Sequence, residues 1–325
     1  MIKKWLRVLL GVMIVLIIGG FFPQSEIVPI VKNTPVQQPQ TPGKPQNVNN
    51  TLLVDSNQLF AHVQKLSFQR YNKIERIRTR TYITKELRKF GWQPKLEKFP
   101  DGVNIFTQRL GTDKTAGAVL VAAHYDTVPA SPGADDNATG IAVILEIARL
   151  FSSVSTPKTL QLAFFDQEET GLLGSKAFVS QPTNLKNLQG VIIIDMVGYA
   201  CYTSGCQKYP TGLPVTPPSD KGDFLVVVGD LENLPLLNTF PNSTENLPKI
   251  LKLPIPFKGL LTPDTLRSDH APFWYQGVGA VLVTDTANLR NPHYHQPSDI
   301  PENIQRAFFT GAAQIIINAT SSLLK

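Results

Sequence analysis

Four of the five histidines in this chain, His124, His270, His293 and His295, stand in polar segments flanked by glycine or proline, and carboxylates crowd the same segments. "HYD" sets Asp126 two residues after His124, and "GADDNATG" supplies Asp135 and Asp136. "FFDQEETG" carries Asp166, Glu168 and Glu169, "IIIDMVG" carries Asp195, "RSDHAPFW" carries Asp269 and His270, and "NPHYHQPSD" carries His293 and His295. Carboxylates gathered in one place repel one another, so they coexist only with cations nearby or with protons bound. Imidazole together with carboxylate is a zinc-type ligand set. His62 reads as an ordinary helix-face residue.

Blander roles exist for most of these side chains. Asp136 can cap a helix begun by "NATGIAVIL", alone or besides binding a metal, and Asp195 can serve as a strand-end turn residue. Glu168 and Glu169 suit a solvated helix start, although that leaves the other polar clusters unexplained. Asp269 either shapes a pocket or caps the helix begun by "HAPFW". Spacing does not choose between His293 and His295 as a ligand. The sequon at Asn137 lies where a glycan would block the candidate site, and it is set aside.

The elements that must hold these residues follow from the apolar pattern. "AGAVLVAAHYD", "TLQLAFFD" and "GVIIIDMVG" read as strands, with "TGIAVILEIARLF" and "GLLGSKAFV" as helices between them. A polar, proline-rich excursion from Ala200 to about Ser219 interrupts the alternation, and "DFLVVVG", "GVGAVLVTD" and a last helix after Pro301 resume it. Such alternation predicts an α/β fold, a three-layer α/β/α sandwich around a mixed, mostly parallel sheet. In sheets of this kind ligands collect at the carboxyl ends of the strands, where the polar residues fall. Before the sheet, Leu59, Val63 and Leu66, then Ile74, Ile77, Ile83 and Leu87, recur at helical spacing up to Gly91 and predict one or two surface helices. "NLPKILKLPIPFKGL" reads as loop.

At 325 residues and 42% hydrophobic, the chain is long enough for a sizeable core, and a net charge of +6 without basic–aromatic runs argues against nucleic-acid binding. Residues 1–22 place Lys3, Lys4 and Arg7 before an apolar run from Val8 to Phe22, the pattern of a signal anchor or signal peptide. No small-residue cleavage site follows, which favours an anchor, and the positive-inside rule then exports everything after Phe22. The expected protein is therefore membrane-anchored and faces outside the cytoplasm, or is secreted if the segment is cleaved. Residues 23–51, rich in Pro, Gln and Asn, read as a disordered linker, and residues 52–325 as one catalytic domain. Export permits a disulfide between Cys201 and Cys206.

"HYDTVPASPGADDNATG", "DQEETGLLGS", "IIIDMVG", "RSDHAPF" and "NPHYHQPSD", in that order, resemble the co-catalytic two-zinc aminopeptidases of metallopeptidase family twenty-eight, the aminopeptidase S and aminopeptidase Y type. The resemblance implies two zinc ions per chain bridged by Asp136, with His124 and Asp195 on one and Glu169 and His295 on the other. It further implies Glu168 as general base, Asp126 as the partner that orients the His124 ring, and Tyr294 as donor to the tetrahedral oxyanion. Peptides with a free N-terminus would be the substrates. Two other readings share the fold: a glutaminyl-peptide cyclotransferase with a single zinc, and a non-catalytic binding ectodomain that has lost its metals. "EETGLLGSKAF" lacks the insertion expected of the cyclases, and the ectodomain should have lost ligands that this chain retains.

Overall fold

In the computed structural model, which describes residues 52–209, 219–241 and 246–325, the apolar runs pair into one eight-stranded sheet. The strands are β1 (Lys95–Phe99), β2 (Gly102–Arg109), β3 (Ala118–His124), β4 (Thr159–Phe165), β5 (Leu188–Ile194), β6 (Phe224–Asp230), β7 (Lys249–Ile255) and β8 (Ala280–Thr284), in the order β1-β2-β4-β3-β5-β8-β6-β7. β4, β3, β5 and β8 run parallel at the centre; β1–β2, β2–β4 and β6–β8 are antiparallel, and β6–β7 is parallel. The sheet is mixed and mostly parallel, as the alternation predicts.

Because side chains alternate across a strand, β3 feeds two cores. Val119, Val121 and Ala123 enter one with Ile141, Ile144, Phe309 and Ile316, and Leu120 and Ala122 enter the other with Phe165, Phe178, Phe273 and Trp274. The first is covered by α1 (Ser56–Leu66), α2 (Lys73–Lys89), α3 (Gly140–Leu150) and α8 (Arg306–Leu323), and the second by α4 (Leu173–Val179) and α7 (His270–Tyr275). Short helices α5 (Pro182–Leu185) and α6 (Leu234–Asn238) complete the set. Burial on both faces explains why the central strands read as unbroken apolar runs.

Two local readings are corrected. β7, "KILKLPI", is a strand and not a loop; it lies at the sheet edge, half exposed, with Pro254 inside it. β1 and β2 form a hairpin at the opposite edge that the alternation did not announce. Cys201 and Cys206 are joined in a disulfide. Among the described residues no helix is long and apolar enough to cross a membrane; the Val8–Phe22 run and the linker reading lie outside them.

Candidate active site

The register of the central strands brings the polar segments together. His124 at the end of β3 pairs with Phe165 at the end of β4, and Ala122 pairs with Ile193 near the end of β5. The chain therefore leaves three neighbouring strands at one edge, carrying His124 and Asp126, Asp166 to Glu169, and Asp195. Asp136 arrives from the turn Ala134–Thr139 ahead of α3, in which Asp136 (φ −102°, ψ 88°) and Asn137 (φ −133°, ψ 47°) depart from helical geometry. The capping task there falls to Asn137, whose Oδ1 accepts from the Gly140 amide at 3.0 Å. Asn137 is fully buried, and its Nδ2 donates to the Ile194 carbonyl at 2.9 Å. Asp136 is thereby left free to face the strand ends.

There its two carboxylate oxygens meet two different imidazoles. Oδ1 lies 3.3 Å from His124 Nε2 and Oδ2 lies 3.2 Å from His295 Nε2. Each imidazole has a second acid beside it: Asp195 Oδ1 at 3.5 Å from His124 Nε2, and Glu169 Oε2 at 3.1 Å from His295 Nε2. His295 Nε2 and Glu169 Oε1 are buried without a hydrogen-bond partner, although carboxylates stand close to the nitrogen. Unpaired buried polar atoms are costly, and a cation would satisfy them. One donor atom each from His124, Asp136 and Glu169 lie within 4.8 Å of one another, close enough to share a metal ion.

The electrostatics point the same way. Burial, and then the Asp136 charge, push the Glu169 carboxyl up to about 7. Burial would lower His295, yet the Asp136 and Glu169 carboxylates override it and hold the imidazole at about 10. Without a cation, this donor set keeps protons that ligands must shed.

Glu168 is buried, and its carboxyl is raised well above the usual range by burial, with the Asp195, Asp269 and Glu169 carboxylates adding to the shift against the pull of His124. Asp126 binds the turn that carries both glutamates: its Oδ1 accepts from the Glu168 amide at 3.0 Å and its Oδ2 from the Glu169 amide at 3.2 Å. Its approach to His124 Nδ1 is longer, 3.6 Å. Tyr294 stacks on His295 with ring centroids 3.7 Å apart, and its Oη accepts from Arg267 Nη2 at 3.2 Å.

Other candidates go elsewhere. His293 Nδ1 pairs with Ser298 Oγ at 2.9 Å and not with the acidic cluster, and His62 Nδ1 pairs with Tyr82 Oη at 2.7 Å. Asp166 is met by protein cations, Arg76 Nε at 3.0 Å and Arg80 Nη1 at 3.3 Å. Asp269 makes no capping bond to α7; it accepts from Ser175 Oγ, its Oδ2 is buried and unpaired, and burial raises its carboxyl to about 7. His270 is buried and hydrogen-bonded to the Thr265 carbonyl at 2.7 Å.

Three residues outside glycine have left-handed backbone at the site: Gln167 (φ 61°), Met196 (φ 53°) and His295 (φ 59°). Each adjoins or is a cluster residue, and such conformations persist where the surroundings demand them. Sequence reasoning gave no role to Arg70, Ser175 or Asp299. All three act through hydrogen bonds that leave no spacing pattern.

The family model described as "Peptidase family M28" matches residues 104–216, the stretch holding His124, Asp126, Asp136, Glu168, Glu169 and Asp195. Over that stretch the chain is similar to peptidase family M28. The chain is 30% identical over 203 residues to the uncharacterized protein YfbL of Escherichia coli, covering 57% of this chain and 61% of YfbL. It is 29% identical over 213 residues to aminopeptidase YwaD of Bacillus subtilis, covering 64% of this chain and 41% of YwaD. The chain thus spans less than two thirds of either relative. Its fold is that of the aminopeptidase from Aneurinibacillus sp. strain AM-1, with a TM-score of 0.63 at 15% identity over 82% of this chain and 93% of that one.

Proposed function

We propose that the protein is a zinc-dependent aminopeptidase that removes N-terminal residues from peptides, with His124, Asp136, Glu169, Asp195 and His295 as the residues that would hold two metal ions. The observation that carries this reading is the division of the Asp136 carboxylate, with one oxygen toward His124 and the other toward His295, each imidazole flanked by its own acid. One carboxylate shared between two His–carboxylate corners suits two ions better than one. His124 and Asp195 would hold the first, and Glu169 and His295 the second. Zinc bound there supplies Lewis acidity, lowering the pKa of water and polarising a carbonyl oxygen.

The chain's own groups do the rest. Glu168, held by its main chain beside the cluster, takes the proton of the attacking water and delivers it to the leaving amine. Asp126 fixes the turn from which Glu168 and Glu169 diverge and stands behind the His124 ring. Tyr294, stacked on His295, offers its hydroxyl to the tetrahedral oxyanion, and Arg267 steadies that hydroxyl. The apolar run Val8–Phe22 would display the enzyme on the outer face of a membrane, or direct its secretion if cleaved.

The test is to load the purified protein with zinc, count the bound ions, and assay a panel of aminoacyl-anilides beside a peptide with N-terminal glutamine. Anilide hydrolysis with two ions per chain is expected. Cyclisation of the glutaminyl peptide without hydrolysis, or tight zinc binding with neither reaction, would overturn the proposal.

A further inference from the structure

The turn that carries Asp136 makes little use of secondary structure for its own support, and two buried charged side chains from distant segments supply it. Asp299, 1% exposed, takes the Asp135 amide on Oδ1 at 2.8 Å and the Asp136 amide on Oδ2 at 3.1 Å, while its own carbonyl accepts from the Ala134 amide at 3.1 Å. From the other side comes Arg70, fully buried in the connection between α1 and α2. Its Nη1 donates to the Pro132 carbonyl at 2.8 Å, and its Nη2 to the carbonyls of Gly133 at 2.9 Å and Asp136 at 3.5 Å. Nε donates to the Tyr125 carbonyl at 2.8 Å, one residue past His124, and the Arg70 amide donates to Thr127 Oγ1 at 2.9 Å. Every side-chain hydrogen bond of Arg70 ends on a main-chain carbonyl.

We infer that Arg70 and Asp299 are a pair of positioning residues, a main-chain clamp that sets the Asp136 carboxylate between His124 and His295 before any metal binds. The inference rests on the proposed reading of Asp136 as a shared metal ligand. Asp299 gathers the N–H groups of the turn and Arg70 gathers its carbonyls, so the turn is held by opposite charges on opposite sides. Asp299 lies four residues after His295, and Arg70 also grips the segment after His124. The clamp therefore joins three segments that each present a candidate ligand. Gly133 is part of the device: its φ is +65°, and a Cβ there would fall 2.6 Å from Arg70 Nη2 and 2.3 Å from the Asp136 carbonyl oxygen.

The geometry also says which substitutions break the clamp. In Asp299→Asn one acceptor becomes an NH2 group and confronts an amide N–H that it cannot accept. In Arg70→Lys the charge stays, but three donors on one atom cannot span carbonyls on both sides of the side chain.

The experiment measures zinc affinity of the full-length protein by competition with a chelating dye, together with melting temperatures with and without zinc. For a positioning role, Asp299→Asn and Arg70→Lys each weaken the tighter-binding zinc by about ten- to a hundredfold, the range for groups that support ligands, and shrink the zinc-induced rise in melting temperature. A merely structural role would lower both melting temperatures equally and leave the affinity untouched, which would overturn the inference. Should neither variant fold, site-resolved hydrogen exchange on metal-free wild-type protein decides. The Asp135 and Asp136 amides should be protected to the level of α3, and free exchange there would show that no clamp exists before the metal. Wild-type protein that binds no zinc would end the proposed function, while the exchange measurement would still report separately on the clamp.

Discussion

Replacing Glu168 by Gln separates the two neighbouring glutamates most sharply. The Glu168 main chain is fixed by the Asp126 carboxylate at 3.0 Å, so exchanging one terminal oxygen for NH2 leaves the turn in place. The substitution should therefore remove proton transfer and little else. A positioned general base is worth about 10²- to 10⁴-fold, which is about 2.7–5.4 kcal/mol of barrier at 1.36 kcal/mol per decade. The assay is the initial rate on an aminoacyl-anilide, with bound zinc counted on the same preparations. Turnover should fall by that factor, with KM and zinc content close to those of the wild type. Glu169→Gln should do the reverse, losing metal first because Glu169 faces His295 at 3.1 Å. A Glu168→Gln enzyme within tenfold of wild-type turnover, or one emptied of zinc, would refute the division of roles.

Removing zinc with a chelator should lower the melting temperature: an ion present at a hundred times its Kd contributes about 2.7 kcal/mol, or roughly 5–11 °C at the 2–4 °C per kcal/mol usual for large domains, read by calorimetry. His295→Ala should lose one bound zinc while His293→Ala keeps both, since His293 is engaged with Ser298; metal analysis of the two variants decides it. Burial holds His270 down to about 4 against an ordinary 6.5, so the unfolded chain binds its proton first and stability is lost as pH falls from 6.5 toward 4. That loss is about 3 kcal/mol in full, and urea midpoints across this range should slope less in His270→Gln. Trp274→Ala empties a fully buried site and breaks the Nε1 bond to the Ala280 carbonyl, at a cost of about 3–5 kcal/mol visible in the same urea titrations.

The central strands were legible because burial on both faces leaves runs such as "AVLVAAH" with no polar residue before the strand end. The edges were not. β1 and β7 carry lysines and alternate only weakly in burial, as edge strands that discourage further pairing do, so their sequences resemble loop. The site divided along a similar line. His124, Asp126, Glu168, Glu169 and Asp195 follow strand ends, where position alone makes a polar residue conspicuous. Arg70 and Asp299 grip main-chain atoms, to which any residue type contributes equally, and nothing in their spacing marks them. Asp136 was conspicuous as half of an acidic pair, yet only the observed role of Asn137 in capping α3 separates it from the helix start.

The crowding of acids at these strand ends can be sorted by what offsets each charge. Asp166 has two guanidinium groups from α2. Asp126 and Asp299 each accept two main-chain N–H groups, which stabilise a carboxylate without a counter-ion. Asp135 accepts from the Gly198 amide and Asn291 Nδ2, while burial and the Asp285 charge drive it toward the protonated form. Among the described residues, the charged neighbours that face Asp136, Asp195 and Glu169 are the imidazoles of His124 and His295, which must be neutral to act as ligands. For these three acids the protein supplies directional neighbours without a permanent positive charge. The distinction between acids already compensated and acids that face imidazoles supports the proposed assignment of Asp136, Asp195 and Glu169 to metal.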